Sequence, residues 1–475
     1  MSTLPSPSLL DETLRAVARR YRVPPMPAAT PAMQESDPAT ALAIAIEQAR
    51  VALLGGAAPD AAVKRLFVES LARLIREAMR APQGDPVFQA MALRHRAPRV
   101  REHASLSAHA GQDRRAVHTA INGIAHPGKQ QRLPPGPQRE ALAQLHAAAG
   151  SASWSALAAI ARHVLALPET GHDAPVRRGL TQLLDDPGLA RLQRLDALAS
   201  DELVQQYQSL WDRNGPRPGS PAAAAQGSAS RRRGAAVEAL AAQALEALAR
   251  RLGAETGAPY RVATSMRVPA SMPGSAERAK TEWDAALLRQ APIADATPAW
   301  DVCLLVEAKA SVDAATTDLA RLLRGLRLLA QADASVAYPF ECGQGTLRLT
   351  GASLSALTTD EAGLARTVLY CCDAPAEPAP RLLGAAGRMQ LLSAQASLEF
   401  AARLADGQAV EAQDLEPLWH ELLTSRQWGA VLNQYPMLRQ VRDLMVHTDD
   451  LLAAVNGPPP SSCPSPENAA RCALE

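Results

Sequence analysis

The sequence predicts an α+β protein of several domains, on three observations. Between residues 260 and 372, short runs of β-branched and aliphatic residues alternate with helical periodicity. On either side, residues 40–213 and 376–456 are rich in leucine and alanine, the composition of packed helices. The 475 residues exceed what one core ordinarily holds, so two or three domains are expected.

Residues 1–39 carry repeated prolines and predict a flexible arm, after which residues 40–213 form a helical domain beginning with helices over 41–80. Residues 214–233 open with Asn214-Gly215-Pro216 and continue in alanine, glycine and serine, the composition of a flexible linker. From Gly234, the spacing of Val237, Leu240, Leu245, Leu248 and Leu252 predicts a helix that stops at Gly253. Tyr260 to Val268 is a strand ended by Pro269. Thr281 to Leu288 is a second strand, and Trp300 to Ala310, bounded by Pro298 and the turn-prone residues 295–297, is a buried third. Leu319, Leu322, Leu323, Leu326 and Leu329 then mark a helix, and residues 365–372 a last strand. The order is helix, three strands, helix, strand. In 376–456, helices carrying Trp419, Trp428 and Tyr435 are expected to pack on this core, and residues 457–475 form a disordered tail.

Only four of the 49 basic residues are lysines, namely Lys64, Lys129, Lys280 and Lys309; the rest are arginine. A lysine in an arginine-rich chain suggests a need for a compact point charge rather than a planar fork. Lys309 lies two residues after Glu307 on the third strand, so the two side chains share one face. If the second strand pairs antiparallel with the third, Asp284 comes beside Glu307. Lys280 reads as a solvated turn lysine, with contact to phosphate as the alternative.

With Asp284 on one strand and Glu307-Ala308-Lys309 on the next, residues 234–375 resemble the PD-(D/E)XK nuclease superfamily. The resemblance implies a restriction-endonuclease-like αβββαβ core and catalytic roles for Asp284, Glu307 and Lys309. It further implies an assisting glutamate on the first helix, for which Glu238 fits, and a metal held by Asp284, Glu307 and Glu238. Mg²⁺ suits such carboxylates, with Mn²⁺ as a substitute. No proline precedes Asp284, and no glutamine motif follows Lys309.

Residues 104–123, with Gly111, Val117 and Ile121, resemble the helix-turn-helix of Lac-repressor-type DNA-binding domains. That resemblance implies that Arg114, Arg115, His118 and Thr119 project from a recognition helix into DNA. Residues 94–139 hold nine Lys/Arg against Glu102 and Asp113, a net charge of +7 that suits phosphate.

The expected function is metal-dependent hydrolysis of DNA phosphodiester bonds. One alternative is a non-catalytic DNA-binding or protein-interaction module that retains the nuclease fold; another is a delivered nuclease toxin. The chain's overall charge of +1 does not by itself point to nucleic acid, and aromatics at 3 % argue against a base-stacking platform. Cysteines lack paired zinc spacing, and no apolar run reaches the ~18 residues of a membrane span. A cytoplasmic protein is expected. Its oligomeric state is open, a homodimer included.

Overall fold

The computed structural model describes residues 8–23, 25–26, 36–216, 219–292, 297–377 and 380–457. The expected tail from residue 458 and the turn residues 295–296 lie outside them. The chain forms an α+β structure of two compact units, one drawn from residues 1–70, 218–388 and 420–475, the other from 71–217 and 389–419.

The second unit is helical. Its longest helix, Pro98–Ala125, has proline at its first turn, where a missing N–H costs nothing, and ends before Pro127. It buries Val117, Ile121 and Ile124 against Leu142, Leu145, Trp154, Leu157, Leu180 and Leu192. Asp113 is 5 % exposed and accepts both arms of the Arg191 fork, at 2.9 and 2.6 Å.

The helix-turn-helix expectation is corrected here, because residues 98–125 are one helix of 28 residues with no turn at Gly111. Glycine lowers helix propensity by only about 1 kcal/mol, less than the apolar face returns on burial. Val117 and Ile121 are core residues of that face. His118 stacks edge-on against Trp154 with ring centroids 5.9 Å apart. The Thr119 hydroxyl donates to the Arg115 carbonyl at 2.9 Å. Arg114 and Arg115 are exposed.

The first unit is built on a sheet. The elements that matter for the site are α1 (Ser8–Ala16), α2 (Pro221–Thr256), β1 (Tyr260–Arg267), β2 (Glu282–Gln290), β3 (Ala299–Lys309) and α3 (Val312–Leu329). There follow β4 (Ala337–Cys342), β5 (Gly345–Thr350), α4 (Glu361–Thr367), β6 (Val368–Cys372), β7 (Met445–His447) and α5 (Thr448–Asn456). β1, β2 and β3 are antiparallel neighbours, β6 lies parallel to β3 along Leu305–Lys309, and β7 lies parallel to β6. The β4–β5 hairpin closes β1, β2 and β3 into a five-stranded ring, joining β1 at Arg267 and β3 at Ala299 and Trp300.

Both faces of the sheet are covered. On one, α3 brings Leu319, Leu322, Leu326 and Leu329 onto Trp283, Leu305 and Tyr370. On the other, α2 brings Leu245, Leu248 and Leu252 onto Leu287, Val306 and Leu369, with α1 and α5 beside it. Two-sided burial explains why β3 is apolar almost throughout.

Five expectations change. The arm contains α1, whose Leu9, Leu10 and Leu14 are buried. Residues 221–233, expected as linker, are the start of α2, where the Ser220 hydroxyl accepts from the Ala223 N–H at 3.1 Å, Pro221 occupies the first turn and alanine is abundant. Gly253 does not end that helix; Gly257, at φ 69°, does. Residues 361–367 are helical, capped by Asp360, so β6 starts at Val368, and β7 lies in a region expected to be all helix.

Candidate active site

Asp284 and Glu307 fall opposite each other, because β2 and β3 pair Ala285 with Val306. The ladder opens around Asp284. On β1, Thr264 pairs with Ala285 and Met266 with Trp283, while Ser265 between them adopts φ 49°, a left-handed conformation unusual for serine. Asp284 Oδ2 accepts the Ala308 N–H at 2.8 Å, so a carboxylate takes the place of a ladder carbonyl.

Glu307 is fully buried. Its Oε2 faces Lys280 Nζ at 2.6 Å and Lys309 Nζ at 2.9 Å, while its Oε1 is buried with no hydrogen-bond partner among the described residues. Lys309 Nζ also lies 3.8 Å from Asp284 and 3.7 Å from Asp318 of α3. Tyr370 pairs in register with Glu307 on β6, and its hydroxyl donates to Asp318 Oδ2 at 3.4 Å.

Burial raises the Glu307 carboxyl to about 7, and the charge of Asp284 adds to the rise, against the opposing pull of Lys309 and Lys280. For Lys309, burial lowers the pKa, but Glu307, Asp284 and Asp318 together outweigh it and the net direction is up. Burial, and then the charges of Asp318 and Glu307, push the Tyr370 hydroxyl up. With Glu307 ionised, three carboxylates share this space with two ammonium groups, which leaves one negative charge; with Glu307 protonated the two sides balance.

The sequence-predicted Asp284, Glu307 and Lys309 thus converge. Glu238 stays exposed on α2, near enough that burial and the charge of Asp284 raise its carboxyl. Lys280 corrects the expectation of a solvated turn lysine: it is 4 % exposed. Its main-chain N–H donates to the Arg321 carbonyl at 3.1 Å, which pins it beneath α3. Asp318 and Tyr370 were also missed. Asp318 carried a signal, since it lies three residues after Ala315 and four before Leu322 and so falls on the inward side of α3.

Gly325 lets α3 approach Lys280 so closely. A Cβ there would lie 2.8 Å from both the Cβ and the carbonyl oxygen of Lys280. Gly325→Ala is therefore expected to push α3 off this loop and lower stability by roughly 1–3 kcal/mol despite alanine's better helix propensity. Denaturant titration measures it, and an unchanged or raised midpoint would show that the loop yields freely.

Among the described residues, no group of three or more His, Cys, Asp or Glu is arranged to hold a metal ion. Mg²⁺, however, needs only one or two protein carboxylates beside water and substrate phosphate. The unpartnered buried Oε1 of Glu307, next to Asp284, fits that donor set.

No protein-family model, curated protein or solved structure matches the chain. Among the described residues, no helix is long and apolar enough to cross a membrane.

Proposed function

We propose that this chain is a metal-dependent endonuclease that hydrolyses DNA phosphodiester bonds on a restriction-endonuclease-like core. The observation that carries the reading is the meeting of Asp284 and Glu307 at Lys309 Nζ, with the other Glu307 oxygen, Oε1, buried and without a hydrogen-bond partner among the described residues. The order α2, β1, β2, β3, α3 and, after the β4–β5 hairpin and α4, β6, with β6 parallel to β3, supports the same core, to which that hairpin adds two strands that close a ring.

In this reading Asp284 and Glu307 hold Mg²⁺ or Mn²⁺, and Glu238 at the rim adds negative charge. The bound ion would supply Lewis acidity and a more acidic attacking water. Lys309, aimed by three carboxylates, presents a compact positive charge where phosphoryl charge develops. Asp318 orients Lys309 and is itself oriented by Tyr370. The exposed Arg114 and Arg115 of the second unit supply positive charge for the DNA backbone.

The test is cleavage of supercoiled plasmid with Mg²⁺ or Mn²⁺. Activity is expected with either ion and is expected to stop on chelation. Lys309→Arg should lose about a hundredfold in rate, since the wider fork cannot sit among three carboxylates as a point charge. Cleavage that survives chelation, or full activity in Lys309→Arg, would overturn the assignment.

One observation favours a second reading, a non-catalytic DNA-binding or protein-interaction module. Lys280 and Lys309 already pair Glu307 with two cations, as an ion-pair network in a core would. DNA bound but left intact by the wild-type chain in both metals would select it.

A further inference from the structure

A pocket of about 300 Å³ in the first unit is lined by Arg15, Arg19, Arg22 and Arg366, with Asp11, Leu14 and Ala365 completing the wall. None of these residues belongs to the site around Glu307. We propose that this pocket binds a phosphoryl group.

Four arginines line this small volume, with two carboxylates beside them among the described residues. Asp11 lines the pocket, and Asp443 pairs with Arg22 at 3.1 Å from outside the lining. Arg15 and Arg366 have no acidic partner among the described residues; Arg366 donates instead to the carbonyl of Ala362 at 3.4 Å. Arg19 is the most telling. Its two terminal nitrogens are tied to main-chain carbonyls, Asp443 at 3.2 Å and Leu14 at 3.0 Å, which fixes the fork by neutral acceptors rather than by an ion pair. Burial lowers its pKa and the like charge of Arg22 lowers it further, and the charge of Asp443, which pulls the other way, does not make up the difference, so the cation is held where a cation is disfavoured.

An anion would relieve that repulsion. The neighbouring Arg20 turns away to pair with Asp450, so the chain neutralises one arginine of this segment and leaves the pocket positive by about two charges. A doubly charged tetrahedral oxyanion matches that excess and the geometry of several forks, where a single carboxylate matches neither. The phosphoryl group has two sources, a free phosphorylated compound or the backbone of a nucleic acid.

The experiment is calorimetric titration of the full chain with inorganic phosphate and with pyrophosphate, at constant ionic strength set by sodium chloride. Saturable binding of one anion per chain is expected. The double variant Arg15→Gln, Arg366→Gln should weaken it by about tenfold or more, the scale of losing charge-assisted hydrogen bonds. Both positions are exposed, so melting without ligand should be unchanged. No saturable binding of either anion at millimolar concentration, or equal binding in the variant, would overturn the proposal. A short DNA duplex forms the second arm. Parallel loss of duplex affinity in the variant identifies a backbone phosphate as the ligand, and unchanged duplex affinity identifies a free compound. The readout is binding, so it stands or falls apart from the nuclease proposal.

Discussion

Asp284→Asn and Glu307→Gln are each expected to lower metal-dependent DNA cleavage by on the order of a thousandfold, about 4 kcal/mol in the barrier. Each exchange keeps the shape of the side chain and removes one negative ligand. Asp284→Asn keeps an amide oxygen able to accept the Ala308 N–H, so its fold should survive as judged by circular dichroism. Initial rates on plasmid, at saturating Mg²⁺ and again with Mn²⁺, make the measurement. Near wild-type rates in both variants would show that the reacting phosphate lies elsewhere.

The second large effect is on stability. Lys280→Met should cost about 3 kcal/mol, because it leaves Glu307, wholly buried, with one counter-charge in place of two. The effect depends on pH, and its sign follows from Glu307, whose folded pKa of about 7 stands above the ordinary 4.5. The folded chain therefore holds the extra proton between those values. Glu307's contribution is fully present below about 4.5 and is lost as pH rises through about 7. Once Glu307 is protonated, Lys280 has no carboxylate to pair with. The difference in melting temperature between Lys280→Met and the wild type should thus be large near pH 8 and shrink near pH 5. A difference that ignores pH would mean that Lys280 matters only as packing volume.

Much of the first unit was legible in its residues. Periodicity placed the strands around Asp284 and Glu307 within a residue or two, because a strand buried on both faces leaves an unbroken apolar run. The alternation of a strand put Glu307 and Lys309 on one face. Other parts were not legible, for definite reasons. The β4–β5 hairpin hides in Ala337–Thr350, where the Cys342-Gly343-Gln344-Gly345 turn is the signal and the strands are short. β7 is three residues long and gives no period at all. Lys280 looked solvated because its burial is made by α3, some forty residues further on, through the close approach that Gly325 permits. At Gly111 a local rule failed, since one glycine does not break a helix whose neighbours Val117 and Ile121 are fixed in a core. The alanine-rich start of α2 misled for the opposite reason: its composition suits a linker and a helix equally, and the Ser220 cap decided between them.

The first unit is assembled from three separated stretches of chain. That fact bears on the order in which the molecule can be made. A ribosome has released β1 to β6, with Asp284, Glu307, Lys309 and Asp318, before β7 and α5 exist. Until those last segments arrive, β6 has an open edge and Leu369 and Cys371 lack the cover of Leu451 and Val455. Pairings between distant segments form slowly and leave apolar surface exposed while they wait. The catalytic candidates are therefore synthesised well before the sheet that holds them is finished, and a chain cut short before Met445 would carry every one of those side chains on an incomplete scaffold.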